Sequence, residues 1–323
     1  MKAVVTGGAG FIGSHLVEYL LADGQHVVVL DDMSTGRVDN LRALGDHPRL
    51  HVVHGSVCDR KVVDQCVTGA DVVYHLAAAV GVFTIRDRPL ESIRTNILGT
   101  ENVLESALRH HARVLVASTS EIYGLNTKIG LQEEDVRIMG SPIYSRWSYS
   151  DAKAIDEAMT MTYFAQYGLK SVIVRLFNTV GARQRGRYGM VIPRFVTQAL
   201  AGEPVTVYGN GGQIRCFCHV HDVVPALVGL VADEDAHGKV FNLGSSDPVT
   251  IGALAHKVIT ATKSTSRIVY VPYEQAHYAG FQDVERRVPD CTRARRQVGF
   301  APTRDLDDII RDIVEGSRIE VTI

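Results

Sequence analysis

The stretch Thr6-Gly7-Gly8-Ala9-Gly10-Phe11-Ile12-Gly13 constrains the fold of this chain more than any other. It follows the β-branched run Ala3-Val4-Val5 and opens a helical pattern from Ile12 to Ala22. It reads as Gly-x-Gly-x-x-Gly from Gly8 and as Gly-x-x-Gly-x-x-Gly from Gly7. Glycine is needed where a strand turns tightly into a helix, where backbone must approach a pyrophosphate, and where helix lies close on strand. Free N–H groups and partial positive charge at the helix start then favour phosphate. An ordinary glycine-rich turn can carry the same triplet, so context decides. Here a strand precedes, a helix follows, and Asp31 comes after the next β-branched run, 18 residues beyond Gly13. That spacing suits a carboxylate on an adenosine ribose. A carboxylate there repels a 2′-phosphate, which favours NAD over NADP. Asp32 could share the role, and Arg37 is the contrary signal.

Short β-branched runs alternate with longer amphipathic stretches through the first half. Strands are expected at residues 3–5, 26–30, 50–53, 71–74, 114–116 and 171–174, and helices at 12–22, 90–110 and 149–166. Apolar strands alternating with helices predict an α/β fold, a doubly wound parallel sheet with helices on both faces. The alternation weakens after about residue 176. The expected division is a dinucleotide-binding domain over 1–176 and a smaller substrate-binding domain over 177–323, with part of 220–243 packing back on the first. The 323 residues can bury a sizeable core. With 46% hydrophobic and 22% charged residues, the composition excludes a disordered chain. A net charge of −2 gives no sign of nucleic-acid or membrane-surface binding. Five scattered cysteines suit a reducing compartment. The start of the chain lacks a signal-peptide pattern. A soluble, cytoplasmic protein is expected.

The second signature is Tyr149-Ser150-Asp151-Ala152-Lys153. Tyr and Lys four apart share one helix face. An ammonium beside a phenol favours the phenolate and makes a usable general base for a sugar hydroxyl. The pattern alone is common, but it occurs here with the glycine motif and with Ser118-Thr119-Ser120 after a strand.

With these residues in view, the sequence resembles the extended short-chain dehydrogenase/reductase family of nucleotide-sugar epimerases, dehydratases and decarboxylases. The match covers nearly the whole chain. It includes His75-Leu76-Ala77-Ala78, Asn96-Ile97-Leu98-Gly99-Thr100, Ser118 to Gly124, Phe177 to Gly181, Val207 to Gly211, Gln213 to Phe217 and Arg287-Val288-Pro289-Asp290. The resemblance implies a Rossmann domain with a small domain that grips a nucleoside diphosphate sugar, in a homodimer. It assigns the NAD contacts to Gly7, Gly10, Phe11, Ile12, Gly13, Asp31, Asp32, Ser56, Val57, Leu76, Ala77, Ala78 and Ser118, together with Tyr149 and Lys153. It assigns substrate contacts to Arg146, Asn178, Val191, Val207, Tyr208, Gln213, Arg215 and Arg287. Val207 and Tyr208 would flank a uracil, and Arg215 and Arg287 would clamp the diphosphate, where bidentate geometry suits arginine. The family usually has Asp where Ser56 stands, and often Gly-Pro-Arg where this chain has Gly181-Ala182-Arg183.

Family members share an opening step, in which the Tyr takes the C4 hydroxyl proton while C4 is oxidised to a ketone. The residues after the Thr then select the branch. Dehydratases carry Thr-Asp-Glu, many 4-epimerases carry small uncharged residues, and Thr119-Ser120-Glu121 matches the UDP-glucuronate decarboxylases. Those also share an Arg three before the Tyr, here Arg146. Decarboxylation of UDP-glucuronate to UDP-xylose or the 4-keto pentose is therefore expected, with a UDP-sugar 4-epimerase as the alternative. Thr119 and Ser120 would stabilise the enolate at the C4 oxygen. Glu121 beside the substrate carboxylate would add about 4 kcal/mol of repulsion at 4 Å and an effective dielectric near 20. Protonated or through a water, Glu121 could instead return a proton to C5. The run Cys216 to Asp222 invites a metal reading, but a strand there sends cysteines and histidines to opposite faces, and no metal is expected.

Overall fold

The computed structural model describes residues 1–81, 87–184, 186, 190–276 and 283–322. The β-branched runs and amphipathic stretches of the first half become β1 (Lys2–Thr6), α1 (Phe11–Ala22), β2 (His26–Asp31), β3 (Leu50–His54), α2 (Arg60–Val67), β4 (Val72–His75), α3 (Pro89–Arg109), β5 (Arg113–Thr119), α4 (Ser148–Tyr167) and β6 (Ser171–Leu176). The later elements are β7 (Thr179–Val180), α5 (Val191–Leu200), β8 (Val205–Tyr208), β9 (Ile214–Cys216), β10 (Cys218–His219), α6 (Val220–Ala232), β11 (Lys239–Leu243), β12 (Pro248–Thr250), α7 (Ile251–Thr262), β13 (Ile268–Val271), α8 (Tyr273–Ala276), β14 (Arg286–Arg287), α9 (Thr292–Val298) and α10 (Leu306–Thr322).

Seven strands form one parallel sheet in the order β11-β6-β5-β4-β1-β2-β3. Alternation along each strand feeds two apolar layers. Ala3 and Val5 join one layer with Leu16, Leu20, Leu227 and Phe241, and Val4 joins the other with Val73, Val103 and Leu104. This two-sided burial explains why the strands read as continuous apolar runs. The strand order reverses between β1 and β4, so a crevice opens at their carboxyl ends, where such sheets bind ligands. The glycine loop, residues 75–78 and Thr119 all leave the sheet at that edge.

Past β6 the chain builds a second core from α5, α7, α10 and the parallel pair β8–β13. It also returns to the main sheet, since β11 runs beside β6 with Lys239 opposite Val172 and Leu243 opposite Leu176. A small sheet, β12-β9-β14, sets Arg287 directly beside Arg215 through the parallel register of β14 on β9.

One local expectation is corrected. The strand read through Cys216 to Asp222 ends at His219, and α6 starts at Val220. The His219 ring accepts the His221 backbone N–H at 3.1 Å, which caps the helix. His219 and His221 lie on one side, ring centroids 4.9 Å apart, as alternation expects, although His221 stands in the helix and not in a strand. Among the described residues, no helix is long and apolar enough to cross a membrane.

Candidate active site

The glycine loop shows why its residues must be glycine. Gly7 has φ +72°, and a Cβ there would lie 2.8 Å from the Ala77 backbone nitrogen. A Cβ on Gly13 would overlap the Gly7 carbonyl, so α1 could not start this close to β1. No side chain caps α1 and no acidic residue occupies its first turn, which leaves its N-terminal N–H groups for an anion. Asp31, buried at the end of β2, accepts from the Ala9 N–H and the Met33 N–H, both at 2.9 Å. Burial pushes its carboxyl up from the ordinary value, and the two backbone donors oppose this. Arg37 is engaged with Asp39 at 2.7 Å. These features fit a dinucleotide lying across the loop.

The neighbouring turns are fixed from behind. His75 bridges Thr6 at 2.8 Å and Thr100 at 3.1 Å, and the Thr6 hydroxyl accepts from the Ala77 N–H at 3.3 Å. Burial, aided by Lys153, lowers the His75 pKa to about 3, so this histidine is neutral. Ser56 accepts from the Cys58 N–H at 3.2 Å, and Asn102 donates to the Val57 carbonyl at 3.0 Å. Ser118 donates to Glu157 at 2.5 Å, and Glu157 is paired with Arg175 at 2.7 Å.

β5, the turn after it and α4 bring Thr119, Tyr149 and Lys153 together. Thr119 caps the 3₁₀ turn Ser120–Tyr123 by accepting from the Glu121 N–H at 3.2 Å, and it hydrogen-bonds the Tyr149 phenol. Lys153 donates to Asp156 at 2.9 Å, with both side chains buried. The surroundings of Tyr149 in this structure oppose the acidity expected of it. Burial pushes the phenol above its ordinary value, Glu121 and Asp156 push the same way, and only Thr119 opposes them. The charge of Lys153 is directed at Asp156.

Glu121 is the centre of an arginine cluster. Arg146 donates to it at 2.6 Å, Arg287 lies 3.6 Å away, and Arg287 also donates to the buried Ser120 hydroxyl at 3.4 Å. Burial works to raise the Glu121 pKa, but Arg146 and then Arg287 outweigh it and bring it to about 2. This carboxylate remains charged near neutrality, which disfavours the protonated form expected as an acid for C5 and leaves the expected route through a water. Its repulsion of a second carboxylate is offset by the guanidiniums around it. Arg287 is 6% exposed, and its Nε has no hydrogen-bond partner among the described residues. Burial, chiefly, lowers its pKa to about 10, which leaves it cationic.

The other expected substrate contacts divide. Arg215 donates to Asp283 at 2.9 Å, and Tyr273 donates to the same carboxylate at 2.7 Å. Gln213 bonds the Tyr273 hydroxyl and donates to the Tyr208 carbonyl at 2.8 Å, so Tyr208 and Gln213 join the arginine cluster through Asp283. Arg194 stacks over the Tyr208 ring at 4.3 Å. Asn178, at φ +33°, donates to the Cys216 carbonyl at 2.8 Å and tethers β9 beside the site. Val191 begins α5 and is half-buried. Val207 does not flank a ligand with its side chain: it is wholly buried in the second core, because alternation along β8 turns only Thr206 and Tyr208 outward. Reasoning from sequence misses Asp156, Asp283 and Tyr273. For Asp156 a signal exists, an acid three residues after Lys153 on the buried face of one helix.

Residues 4–313 match the family model described as GDP-mannose 4,6 dehydratase. A UDP-N-acetyl-alpha-D-glucosaminuronate decarboxylase from Bacillus cytotoxicus is 38% identical over 319 residues, 98% of either chain. A UDP-glucuronic acid decarboxylase 1 from Danio rerio is 34% identical over 97% of this chain and 72% of its own. Among solved structures, a UDP-glucuronic acid 4-epimerase from Bacillus cereus, in complex with UDP-glucuronic acid and NAD, superposes with a TM-score of 0.89 at 25% identity. That superposition covers 99% of this chain and 100% of the other.

Proposed function

The chain belongs to the GDP-mannose 4,6-dehydratase family of extended short-chain dehydrogenases/reductases, and we propose that it is an NAD-dependent decarboxylase of UDP-glucuronate. The observation that carries this reading is Glu121, placed directly after Thr119-Ser120 and held by Arg146 and Arg287. A 4-epimerase of a neutral UDP-sugar has no need of two guanidiniums around a carboxylate beside the phenol. A substrate that brings its own carboxylate does.

The glycine loop, the uncapped start of α1 and Asp31 would hold NAD, and Arg37, engaged with Asp39, is not directed at a 2′-phosphate. Bound in that place, NAD supplies reversible oxidation at C4 of the sugar. Tyr149 is the group placed to exchange the C4 hydroxyl proton, with Thr119 in contact with the phenol; to take that proton it would act as the tyrosinate, which its surroundings here oppose and which the charge of Lys153, one helical turn away, would favour. The product of that step is a β-keto acid. Its carboxylate enters a cluster in which Glu121 already occupies Arg146, so the two carboxylates compete for Arg287. Departure of carbon dioxide leaves the negative charge on the C4 oxygen, where Thr119 and Ser120 stand to receive it, and C5 then takes a proton from water, which gives the 4-keto pentose. Arg215 and the open Nε of Arg287 suit the diphosphate or the carboxylate. Tyr208 and Gln213 lie on the side where the nucleobase would rest.

The α3–α4 surface supports a homodimer. Leu90 (60% exposed), Leu98 (41%) and Ile155 (45%) present apolar side chains on these two mutually packed helices. A cytoplasmic location agrees with five free cysteines.

The test is incubation of the purified protein with UDP-glucuronate, its 2-acetamido analogue, UDP-glucose and dTDP-glucose, followed by mass spectrometry. Loss of carbon dioxide from a hexuronate supports the proposal. A product of unchanged mass with inverted C4 would replace it by the epimerase reading.

A further inference from the structure

Val191, Arg194 and Gln198 stand at positions i, i+3 and i+7 of α5 and share one face. That face meets the outward side of β8. The Arg194 Nη1 and the Gln198 Nε2 both donate to the Thr206 hydroxyl at 3.0 Å, and the Arg194 guanidinium lies 4.3 Å from the centre of the Tyr208 ring. The Arg194 Nε is buried and has no hydrogen-bond partner among the described residues. Arg146, Arg175 and Arg215 each face a carboxylate, but among the described residues none is paired with Arg194. Burial lowers its pKa, and only Tyr208 opposes this. A largely enclosed guanidinium with an open donor and no counter-charge is costly to keep, so its place against Tyr208 calls for a reason.

Contacts run in sequence from the phenol outward. Glu121, beside Tyr149, faces Arg287, and Arg287 lies in register with Arg215. Arg215 and Tyr273 share Asp283, Gln213 links Tyr273 to the Tyr208 carbonyl, and Arg194 covers the Tyr208 ring. A nucleoside diphosphate sugar with its sugar at Tyr149 and its diphosphate at Arg215 and Arg287 has its base at the far end of that series. The edge of the base remote from the ribose is then outermost, where Arg194 stands. We propose that Arg194 is a specificity-determining residue that donates to the C4 carbonyl of the nucleobase and so selects uracil over cytosine. The inference rests on the nucleotide-sugar orientation proposed above.

The two bases differ where this residue can tell them apart. Uracil carries at C4 a carbonyl, which accepts a hydrogen bond; cytosine carries an amino group, which donates. A guanidinium has donors only. Against uracil it completes a bond, and against cytosine two sets of donors face each other away from water. Discrimination of this kind comes from the polar group that the wrong ligand leaves unpaired. Thr206 and the Tyr208 ring hold the guanidinium, so it gives up both contacts if it swings aside. The open acceptor beside Tyr208 agrees. The buried Gln213 Oε1 has no partner among the described residues and matches the N3–H of uracil, which cytosine lacks.

The experiment measures the binding of UDP and of CDP to the full chain in the presence of NAD by isothermal titration calorimetry. The wild type should bind UDP about a hundredfold more tightly than CDP. Arg194→Met removes the donors and should weaken UDP about tenfold while leaving CDP nearly unchanged. Arg194→Gln, whose amide can turn its oxygen toward an amino group, should narrow the ratio by about tenfold as well. Equal affinity of the wild type for the two nucleotides would overturn the assignment, as would a folded variant that keeps the wild-type ratio. Equal weakening of UDP and CDP would also overturn it, because it would assign Arg194 to the diphosphate or ribose that both share, or to the fold. Should Arg194→Met not fold, Arg194→Gln and the wild-type ratio still decide. UDP carries no carboxylate, so the two readings fail separately. A uracil preference lost with Arg194 in a protein that leaves UDP-glucuronate intact would refute only the decarboxylation, and decarboxylation without a uracil preference would refute only the role of Arg194.

Discussion

Arg146→Met keeps much of the side chain's length and removes its charge from Glu121. The wild-type carboxyl lies at about 2 against an ordinary 4.5. That gap corresponds to about 3 kcal/mol of stability. Because the folded-state value is the lower one, this contribution is complete above the unfolded value and is lost as pH falls from about 4.5 through about 2. Arg146 is the largest favourable influence on Glu121, at 2.6 Å, with Arg287 second at 3.6 Å. Removing it leaves a partly buried carboxylate with one distant partner, a loss on the order of 3 kcal/mol at pH 7. For a chain of this size that lowers Tm by roughly 4 °C. Scanning calorimetry of both proteins from pH 7 to pH 3 measures the difference. The gap should be full at pH 7 and shrink below about pH 4.5. A gap that stays constant across this range would refute the electrostatic argument. It would leave Arg146 a packing role, such as its contact over the Trp147 ring at 5.2 Å.

Further outcomes follow from the same geometry. Tyr149→Phe should abolish turnover while NAD stays bound, measured by product formation and by cofactor retained after gel filtration. Gly7→Ala should abolish NAD retention, because the added methyl meets the Ala77 backbone at 2.8 Å and φ +72° disfavours a side chain; unimpaired NAD binding would contradict the assigned groove. Leu98→Asp combined with Ile155→Lys should convert a dimer to a monomer in sedimentation, and a dimer that persists would place the interface elsewhere.

Local signals make much of this molecule legible. The glycine loop, Asp31 and the strand-helix alternation depend on neighbours within a few residues, and β1 to β6 and α1 lie where their apolar patterns put them. Tyr149 and Lys153 are legible because one helical turn joins them. The arginine cluster is legible only by resemblance, since Glu121, Arg146 and Arg287 meet through the register of β14 on β9 and through the turn after β5. No spacing encodes that register. The raised Tyr149 value and the pairing of Lys153 with Asp156 are illegible for another reason: the sign of a buried electrostatic balance depends on every group nearby. The His219–His221 segment misleads because a two-residue strand ends in a helix cap, a junction that strict alternation does not describe.

The most direct test of the central claim uses UDP-glucuronate labelled with ¹³C in its carboxyl group. The account predicts that the label appears as dissolved carbon dioxide and bicarbonate in step with consumption of the nucleotide sugar, and that Tyr149→Phe releases none. Label that stays in a nucleotide sugar while C4 inverts would contradict it.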